Sequence, residues 1–368
     1  MAMRVEPIRE DLLPEWDDFV DRSDDAWFWH RRAYIEFRVE LAGRHLVRDE
    51  SFLLIENASI VAICPAVIEA RSEGKSRYRE FAFGGDPLPM PALRNELSRA
   101  KRQEALEQYV AVLKELAVKH EVQYGSFRVP GLAPARYHGG LPPTNPLVRY
   151  GFIDLPYQTQ VVDLRQDDKV LWDDVRKGHK HAINRAAKEL VVEVWEQGSI
   201  TDGKFEEYQA LHIRDAGRQV RSQKSYEMMR KWIKAGHGAL VEARVGSDPV
   251  AYAFVILFKD GAYYGSGCQD PESRDLGATH LVQWRTIEWL RRKGVRFYEL
   301  GIQHYGPQWF LTPSPKDITI ARFKRGFGGS AVPLVTAEYY FSGEHLRRTF
   351  LTRLQALLPA ADGVMNLS

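Results

Sequence analysis

The stretch that decides the fold is "RDLGATHLVQWRTIEWLRRKGVRFYELG", residues 274–301. Its apolar positions recur at the spacing of an amphipathic helix, and they are Leu281, Trp284, Ile287 and Leu290. Gly294 is the expected C-terminal cap of that helix, and the "RFYELG" that follows has the composition of a strand. A helix that leads into a strand in this way predicts the crossover connection of a mixed α/β sheet.

The mouth of this helix carries three residues that suit a phosphate, namely Arg274, Gly277 and Thr279. A helix N-terminus offers free N–H groups and the positive end of the helix dipole to an anion. A tight strand-to-helix turn also needs a glycine, however, and simple capping explains the same residues. On this stretch alone both interpretations remain open.

A loose internal repeat surrounds the helix. The first copy reads "SFLLIENASIVAICPAVIEA" and then "RSEGKSRYREFAFGG", and the second reads "GALVEARVGSDPVAYAFVILF" and then "KDGAYYGSGCQ". Apolar strands separated by turn residues predict an antiparallel meander in each copy. A helix and a further strand follow each meander. The sequence therefore predicts an α/β (α+β) protein in which each half is a mixed, largely antiparallel sheet flanked by helices.

A proline-rich stretch at residues 129–148, "VPGLAPARYHGGLPPTNPLV", is the predicted join between the halves. We therefore place an N-terminal domain at residues 1–150, a C-terminal domain at 151–345 and a helical tail at 346–368. Two helices are predicted ahead of the first meander, and the basic helix "LWDDVRKGHKHAINRAAKEL" ahead of the second. The tail carries an amphipathic basic stretch. Packing on its own domain is the default for it, and a partner protein or a peripheral membrane contact are the alternatives.

The overall charge argues against a protein that binds nucleic acid with its whole surface. The chain has 368 residues, with 51 basic and 49 acidic side chains and a formal net charge of +2. Any site for a polyanion must therefore be local, and we expect no DNA partner.

The two cysteines, Cys64 and Cys268, each lie in an apolar or aromatic run. We expect buried free thiols in a reducing compartment. No CxxC pair or histidine–cysteine cluster has zinc-ligand spacing, so no metal site is predicted. The N-terminal residues lack the apolar core of a signal peptide, and no run approaches the roughly 18 apolar residues of a membrane helix. We predict a cytoplasmic protein.

Four pieces of the chain, in this order, resemble the FemAB-type transferases, which fuse two GNAT-like acyltransferase domains. They are "EWDDFVDRSDDAWFWHRRAYIEF", "KGHKHAINRAAKELVVEVWE", "ATHLVQWRTIEWLRRKGVRFYELG" and the closing loop "ARFKRGFGG". Together they span most of residues 15–330. The chain has no long heptad insertion after the basic helix, so it is more similar to compact members than to those with a coiled-coil arm.

This resemblance implies an N-acyltransferase that moves an activated acyl or aminoacyl group onto an amine. The acceptor would be a cell-envelope precursor, an amino sugar or a small amine, free or linked to a lipid or nucleotide. The best-known relatives use aminoacyl-tRNA, which we favour as donor, and acyl-CoA is the alternative; neither is a tightly bound cofactor. A non-catalytic module that binds RNA or a nucleotide sugar on the same fold is the alternative from another class.

The predicted donor site combines the helix mouth with two basic segments. In CoA-using relatives the loop reads Gln/Arg-x-x-Gly-x-Gly/Ala, and here Thr279 departs from the last position. Cations on such segments can hold a phosphate, although a charged run is usually a solvated face. The predicted donor or phosphate-binding residues are Arg274, Gly277, Thr279, Lys180, Arg185, Arg322 and Lys324.

The attacking amine must lose a proton, so a carboxylate or histidine near the strand ends is expected to help. The candidates are Glu299, Asp270 and His304. Asp86 and Tyr305 are the predicted acceptor-binding residues. Because no arrangement of serine or cysteine with histidine stands out, direct attack of the amine on the bound ester or thioester is favoured over a covalent enzyme intermediate.

Overall fold

The computed structural model describes residues 3–73, 76–138 and 145–365. Within these ranges the strands are β1 (Arg4–Pro7), β2 (Leu46–Asp49), β3 (Phe52–Glu56), β4 (Ser59–Cys64), β5 (Val67–Glu73), β6 (Ser76–Phe81), β7 (Leu88–Pro89), β8 (Ala92–Leu93), β9 (Val122–Arg128), β10 (Ile153–Asp163), β11 (Val191–Trp195), β12 (Gly238–Val245), β13 (Asp248–Phe258), β14 (Gly261–Gln269), β15 (Phe297–Ile302) and β16 (Ser330–Tyr340). The helices in the same ranges are α1 (Leu13–Arg22), α2 (Arg32–Ala42), α3 (Arg99–His120), α4 (Ala135–His138), α5 (Asp168–Asp174), α6 (Lys177–Ala186), α7 (Asp202–Ala216), α8 (Gln223–Lys234), α9 (Ala278–Arg292), α10 (Pro315–Arg325) and α11 (Gly343–Met365).

The chain divides into two compact units, and neither is a continuous stretch. Unit 1 comprises Met1–Gln158, His304–Thr319 and Pro333–Ser368, and unit 2 comprises Thr159–Gln303 and Ile320–Val332. The sequence predicted continuous domains instead. The difference has a simple cause in unit 1, where β16 returns to pair antiparallel with β9. Part of the predicted join, residues 139–144, lies outside the described residues.

Unit 1 contains two sheets. One has the strand order β1-β3-β4-β8, and the other runs β16-β9-β6-β5-β2, with the short β7 also paired to β9. The long apolar strand predicted for the first repeat is two strands, β4 and β5, which belong to different sheets. Pro65 stands between them, and a proline has no N–H for a sheet ladder. The two predicted front helices are present as α1 and α2.

Unit 2 is built on the strand order β11-β12-β13-β14-β15-β10. Here the corresponding long strand, β13, is unbroken over 11 residues and is buried along most of its length. Helix α9 crosses over the sheet, so β15 lies parallel to β14. The predicted apolar stripe of α9, which is Leu281, Trp284, Ile287 and Leu290, packs into the core of this unit.

The repeat predicted from the sequence is present in both units. In unit 1 helix α3 joins β6 to the parallel strand β9, as α9 joins β14 to β15 in unit 2. A largely antiparallel meander therefore precedes one parallel crossover in each unit. The predicted fold class, an α/β (α+β) protein with mixed sheets flanked by helices, is confirmed.

Two local predictions in the second half were wrong. The single basic helix is two helices, α5 and α6, separated by Val175 and Arg176 in extended conformation. The buried Val175 side chain anchors the break, and the Arg176 N–H donates to the Gly326 carbonyl at 2.9 Å. The predicted closing loop is mostly helix, because α10 runs to Arg325 before the glycine turn.

The C-terminal tail forms helix α11, which packs on the sheet of unit 1 through a buried ion pair. Arg353 donates from both terminal nitrogens to the Glu338 carboxylate, which is 1% exposed. Tyr124 and Tyr340 donate to the same carboxylate at 2.6 and 3.0 Å. Packing on its own unit was the default prediction for this tail.

Both cysteines are buried and free, as expected. No helix in the described ranges is long and apolar enough to cross a bilayer.

Candidate active site

A gap opens in the sheet of unit 2 between the parallel strands β14 and β15. Their pairing covers residues 261–263 against 297–299 and stops there, although β14 continues to Gln269 and β15 to Ile302. Beyond that point β14 still pairs with β13 on its other edge. Backbone groups of β14 that point away from β13 therefore face the gap. Such groups can hold an extended substrate or stabilise an oxyanion.

The amine of Lys324 lies over β15 at the edge of this gap. Gly301 has a φ of +100°, and an ideal Cβ added there would stand 2.8 Å from the Lys324 Nζ and 3.6 Å from the Tyr263 hydroxyl. The bare glycine backbone thus leaves the space that both polar groups use. Lys324 lies in the last turn of α10 and belongs to unit 2.

Glu299 lies two residues before Gly301 on the same strand and is 5% exposed. Its Oε1 accepts a hydrogen bond of 2.7 Å from the Thr159 hydroxyl on β10. A buried carboxylate needs such partners, since an unpaired charge in this place would be very costly. Thr159 thereby fixes the orientation of the carboxylate.

Burial lowers the pKa of the Lys324 amine, and the neighbouring Glu299 carboxylate works in the opposite direction. The net effect is a lowered pKa, so the Lys324 ammonium is a stronger acid than that of an ordinary lysine. The carboxylate and the amine therefore influence one another electrostatically near the end of β15. A perturbed amine beside a strand gap is a typical feature of a functional site.

The glycine turn after α10 is held in place by residues of the second half's first helices. Gly326 touches the ring of His179, and an ideal Cβ there would stand 2.0 Å from His179 Cε1. The Gly329 N–H donates to the Asp174 carboxylate at 2.6 Å. Gln160 on β10 donates from its amide nitrogen to the Gly328 carbonyl, also at 2.6 Å. These contacts fix the end of α10 and hence the position of Lys324.

His179 belongs to a tight aromatic cluster with His280, Phe323 and Phe327. The two imidazole rings are 4.5 Å apart, edge to face, and both phenylalanines lie within 6.2 Å of His280. The Nδ1 atoms of both histidines are buried without a hydrogen-bond partner. Burial lowers the pKa of His179 to about 3 and that of His280 to about 4, so both rings are neutral.

The mouth of α9, which the sequence identified first, is covered by helix α6. Gly277 has a φ of +72°, and an ideal Cβ on it would stand 3.1 Å from the Ala182 carbonyl oxygen of α6. Gly277 and Ala278 are buried. The glycine is therefore needed both for the turn and for the close approach of α6.

The two arginines predicted near this mouth make protein contacts. Arg185 on α6 donates to the Asp275 carbonyl. Arg274 is 61% exposed and lies 3.7 Å from the Asp215 carboxylate. Thr279 is half-buried in the first turn of α9. Gly277 is therefore packed against α6, whereas the side chain of Arg274 at the same turn is exposed.

Asp270 caps the turn that follows β14. It accepts from the Glu272 N–H at 3.3 Å and the Ser273 hydroxyl at 3.2 Å, and it lies 3.4 Å from the Arg214 guanidinium. These contacts occupy the Asp270 carboxylate.

The other two predicted cations of unit 2 lie apart from the amine of Lys324. Lys180 donates to the Asp173 carbonyl at 3.0 Å and lies over the Trp172 ring. Arg322 is exposed on α10.

Three predicted residues belong to unit 1 rather than to unit 2. Asp86 lies 2.5 Å from the Arg38 guanidinium, which also donates to the Phe83 and Gly84 carbonyls, and so it closes a turn. His304 lies near the Asp317 carboxylate. Tyr305 is 58% exposed.

Sequence reasoning missed Thr159, Tyr263 and Gly301. The glycine that follows "FYEL" was a visible signal, since a glycine at a strand end often marks a close approach. Thr159 and Tyr263 gave no signal, because ordinary strand patterns explain both. Among residues 3–73, 76–138 and 145–365, no group of three or more His, Cys, Asp or Glu side chains is arranged to hold a metal ion.

Residues 173–315 match the family model of the acetyltransferase (GNAT) domain. This segment contains the gap between β14 and β15 and the residue Glu299. No curated protein sequence matches the chain.

Solved structures resemble the chain over nearly its whole length. FemX has a TM-score of 0.64 at 12% identity, covering 94% of this chain and 99% of that one. The C-terminal domain of a putative lysylphosphatidylglycerol synthetase from Agrobacterium fabrum has a TM-score of 0.53 at 14% identity, covering 95% and 96%. A tandem GNAT protein from the clavulanic acid biosynthesis pathway has a TM-score of 0.52 at 14% identity, covering 93% and 99%. At these identities the likeness is one of fold, and it confirms the predicted resemblance to tandem GNAT proteins.

Proposed function

We propose that this chain, an acyltransferase by its GNAT domain at residues 173–315, transfers an aminoacyl group from aminoacyl-tRNA to the amine of a cell-envelope precursor. The observation that carries the proposal is the place of the Lys324 amine over Gly301, two residues beyond the buried Glu299 carboxylate, where β14 and β15 stop pairing. The proposed reaction is direct attack of the acceptor amine on the carbonyl of the donor ester.

The proposed roles follow from the two protonation states. Glu299, held by Thr159, accepts the proton that the attacking amine must lose. Lys324, an ammonium with a lowered pKa, donates a proton to the oxygen that leaves the tRNA ribose. A C–N bond forms and the ester C–O bond breaks. A proton then passes from Glu299 to Lys324, which restores both groups.

The oxyanion that forms during attack needs hydrogen-bond donors or positive charge nearby. Backbone N–H groups of β14 in the gap and the Lys324 ammonium are suited to this task. Gly301 contributes by leaving the room in which the ammonium stands. The scheme uses no covalent enzyme intermediate, since no serine or cysteine nucleophile is part of the arrangement.

The choice of an aminoacyl-tRNA donor is supported by the covered mouth of α9. A CoA pyrophosphate bound in the manner of the Arg-x-x-Gly loop would need room beside Gly277, where an ideal Cβ would stand 3.1 Å from the Ala182 carbonyl oxygen of α6. Arg185 already occupies the Asp275 carbonyl of the same loop. An aminoacyl ester needs only the gap itself for its reactive end. The fold likeness to a putative lysylphosphatidylglycerol synthetase, whose name denotes an aminoacylated lipid, points the same way.

Acyl-CoA is the second candidate donor, and one observation favours it. The loop keeps Arg274 and Gly277 at the family spacing, with Arg274 61% exposed beside the turn. An amino sugar or small amine is then the expected acceptor. A non-catalytic module is not favoured, because the Lys324 amine stands over Gly301, two residues beyond the buried Glu299 carboxylate. Both candidate donors are cytoplasmic, so we assign the reaction to the cytoplasm.

Donor identity is tested by supplying each donor with a mixed pool of amine acceptors. The purified protein is incubated with aminoacyl-tRNA or with acetyl-CoA, together with peptidoglycan precursors, amino sugars and polyamines. Products are identified by mass spectrometry. The proposal predicts an amide product from aminoacyl-tRNA that is lost in both Glu299→Gln and Lys324→Met.

Thermal stabilisation by each donor gives an independent measure, because a ligand that binds the folded state raises the melting temperature. An acetyl-CoA shift that Arg274→Ala abolishes, with acetylated products, would establish the second candidate instead. A shift with aminoacyl-tRNA that survives Arg274→Ala and is weakened by Arg185→Ala supports the first. If neither donor gives a product and only RNA stabilises the protein, the chain is a non-catalytic binding module.

A further inference from the structure

The turn between helices α7 and α8 of unit 2 carries an arginine that is held by an uncharged partner. The Nη1 atom of Arg221 donates to Nε2 of His212 at 2.9 Å. Because an arginine has only donors, Nε2 must accept, and the hydrogen of the neutral ring lies on Nδ1. Nδ1 in turn donates to the hydroxyl of Tyr226 at 2.9 Å. Since His212 is 8% exposed and Tyr226 is fully buried, this chain of bonds fixes the guanidinium in one place.

The charge of Arg221 is not balanced by a carboxylate. Burial and the neighbouring guanidinium lower the pKa of His212 to about 4, so the ring is neutral near neutral pH. Among the residues that the structure describes, no carboxylate lies within ion-pair distance of Arg221. The nearby Asp215 carboxylate accepts instead from the Gln269 N–H at 3.1 Å. A partly buried guanidinium with a neutral partner keeps both its charge and its remaining donors for an anion.

The Arg221 guanidinium stands near the part of β14 that borders the gap. Ser266 and Cys268 lie on β14 beyond residue 263, where the pairing with β15 stops. The hydroxyl of Ser266 shares a hydrogen bond of 2.8 Å with that of Tyr208 on α7. Burial raises the pKa of Tyr208 and of Cys268, and the positive charge of Arg221 opposes both shifts. The guanidinium is therefore close to the strand segment whose free edge faces the gap.

Helices α7 and α9 cover opposite faces of this segment of β14. Tyr264 packs against the apolar core that contains the α9 stripe, whereas Ser266 bonds to Tyr208 of α7. The α9 face is thus filled by the core of unit 2. The α7 face brings the hydroxyls of Tyr208 and Ser266 and the guanidinium of Arg221 to the same strand. A polar acceptor that must reach a carbonyl in the gap is better matched by the α7 face.

We propose that Arg221 binds an anionic group of the acceptor, a carboxylate or a phosphate, and so selects amines that carry such a group. The inference rests on the proposed transfer to an amine, and it adds the chemical class of that amine. A guanidinium presents a planar fork of donors that matches the oxygens of both anions. The bond to His212 orients this fork before the acceptor arrives, which lowers the entropy lost on binding.

Calorimetric titration of the full chain, without any acyl donor, tests the inference. The probes are lysine with 1,5-diaminopentane, which lacks only the carboxylate, and glucosamine 6-phosphate with glucosamine, which lacks only the phosphate. We expect the anionic member of a pair to bind more tightly than the neutral member, and the pair that shows this preference identifies the anion. Arg221→Gln should weaken binding of the anionic member by about tenfold or more, because a hydrogen bond to a charged group is lost. Binding of the neutral member should not change.

A matched control removes the same charge from the same turn. Arg218 is exposed and lies three residues before Arg221, and Arg218→Gln should bind every probe as the wild type does. Arg221→Lys keeps the positive charge without the planar fork, so it should recover only part of the preference for the anionic member. Circular dichroism melts of all three variants show whether each is folded.

Two titration results would overturn the inference. One is a wild-type protein that prefers neither anionic probe over its neutral partner. The other is an equal loss of affinity in Arg218→Gln and Arg221→Gln, since net charge and not Arg221 would then be responsible.

A transfer assay with the same four amines separates this inference from the proposed function. An amide product that requires Glu299 and Lys324, but forms equally well from the anionic and the neutral amines, would refute the role of Arg221 and keep the proposed transfer. Selective binding through Arg221 without a product from either donor would support the anion-binding role and refute the transfer.

Discussion

The amine of Lys324 stands 2.8 Å from the point where a Cβ on Gly301 would project, while Glu299 lies two residues earlier on the same strand. The missing side chain at Gly301 thus leaves the space that the Lys324 amine occupies. This relationship makes the size of residue 301 a direct control on the proposed proton donor.

Gly301→Ala is predicted to lower kcat more than it lowers stability. The new methyl group would displace the Lys324 amine from its position beside Glu299. We expect a loss of about 10²-fold in kcat, comparable to the removal of a general acid or base. The backbone at positive φ adds about 1–2 kcal/mol of destabilisation. Steady-state kinetics and a denaturant melt measure the two effects separately.

Gly294→Ala is the matched control. Gly294 also has a positive φ, of +81°, but an ideal Cβ there meets nothing within 4 Å. It should show the same loss of stability with little change in kcat. Equal losses of kcat in the two variants would mean that backbone strain, and not the position of Lys324, governs the effect.

The pH dependence of kcat is predicted to show an alkaline limb that belongs to Lys324. In the proposed role Lys324 must carry a proton, and burial lowers its pKa below the ordinary value of 10.5. Activity should therefore fall as pH rises through that lowered pKa. Glu299 opposes the shift, so the residual activity of Glu299→Gln should lose its alkaline limb at lower pH than the wild type does.

Lys324→Arg provides the comparison, because an arginine stays protonated across the accessible range. We expect a slow enzyme without the alkaline limb. A limb that persists unchanged in Lys324→Arg would assign the titration to another group and remove Lys324 from the proton-donor role.

More of the fold than of the candidate site could be predicted from the sequence. Helix α9 and its strand were predicted in full, because a helical stripe, a capping glycine and an apolar strand are local signals. The repeat was visible for the same reason. The sequence did not indicate the unit boundaries, because β16 pairs with β9 between residues about 200 positions apart. Neither strand carries a local pattern that predicts this pairing.

The candidate site was likewise predictable only where its signals are local. Glu299 and Lys324 were both named from the sequence, but in separate roles, because the approach of Lys324 to Gly301 at the end of β15 is a tertiary contact. Gly277 was interpreted correctly as a residue under constraint. Its phosphate role stays a prediction. The contact of α6 with this turn joins residues 90 positions apart, and it left no local signal.

Acid is predicted to destabilise the cluster of His179 and His280. Both are neutral in the fold, with pKa values lowered by burial to about 3 and about 4 from an ordinary 6.5, and Arg176 adds to both shifts. The unfolded chain binds protons that the folded chain does not. The contribution of the two neutral rings to the free energy of unfolding is therefore complete above pH 6.5. It is lost as the pH falls from there toward their lowered pKa values, by up to about 1.4 kcal/mol per pH unit per proton.

His179→Phe and His280→Phe should flatten this part of the stability curve, measured by urea melts between pH 4 and 7. Exposed His181 gives the control, and His181→Phe should keep the wild-type slope. His212 and His345 are shifted in the same direction, so some acid sensitivity will remain in each variant. A slope unchanged by both cluster variants would show that the rings are not neutral and buried as described.

Arg353→Met is predicted to be strongly destabilising, because it leaves the Glu338 carboxylate buried without its cation. Removal of one partner of a buried ion pair costs about 3–5 kcal/mol. The double variant Glu338→Gln, Arg353→Met should be less costly than Arg353→Met alone, since the unpaired charge is gone and the hydroxyls of Tyr124 and Tyr340 still have an acceptor. Urea melts of the two variants give the difference.

Lys169→Met is the control for this pair. Lys169 and Asp173 form an ion pair at the surface with side chains 86% and 58% exposed, and its loss should cost no more than about 0.5 kcal/mol. If Arg353→Met were equally mild, the anchor of α11 would lie in its apolar contacts instead.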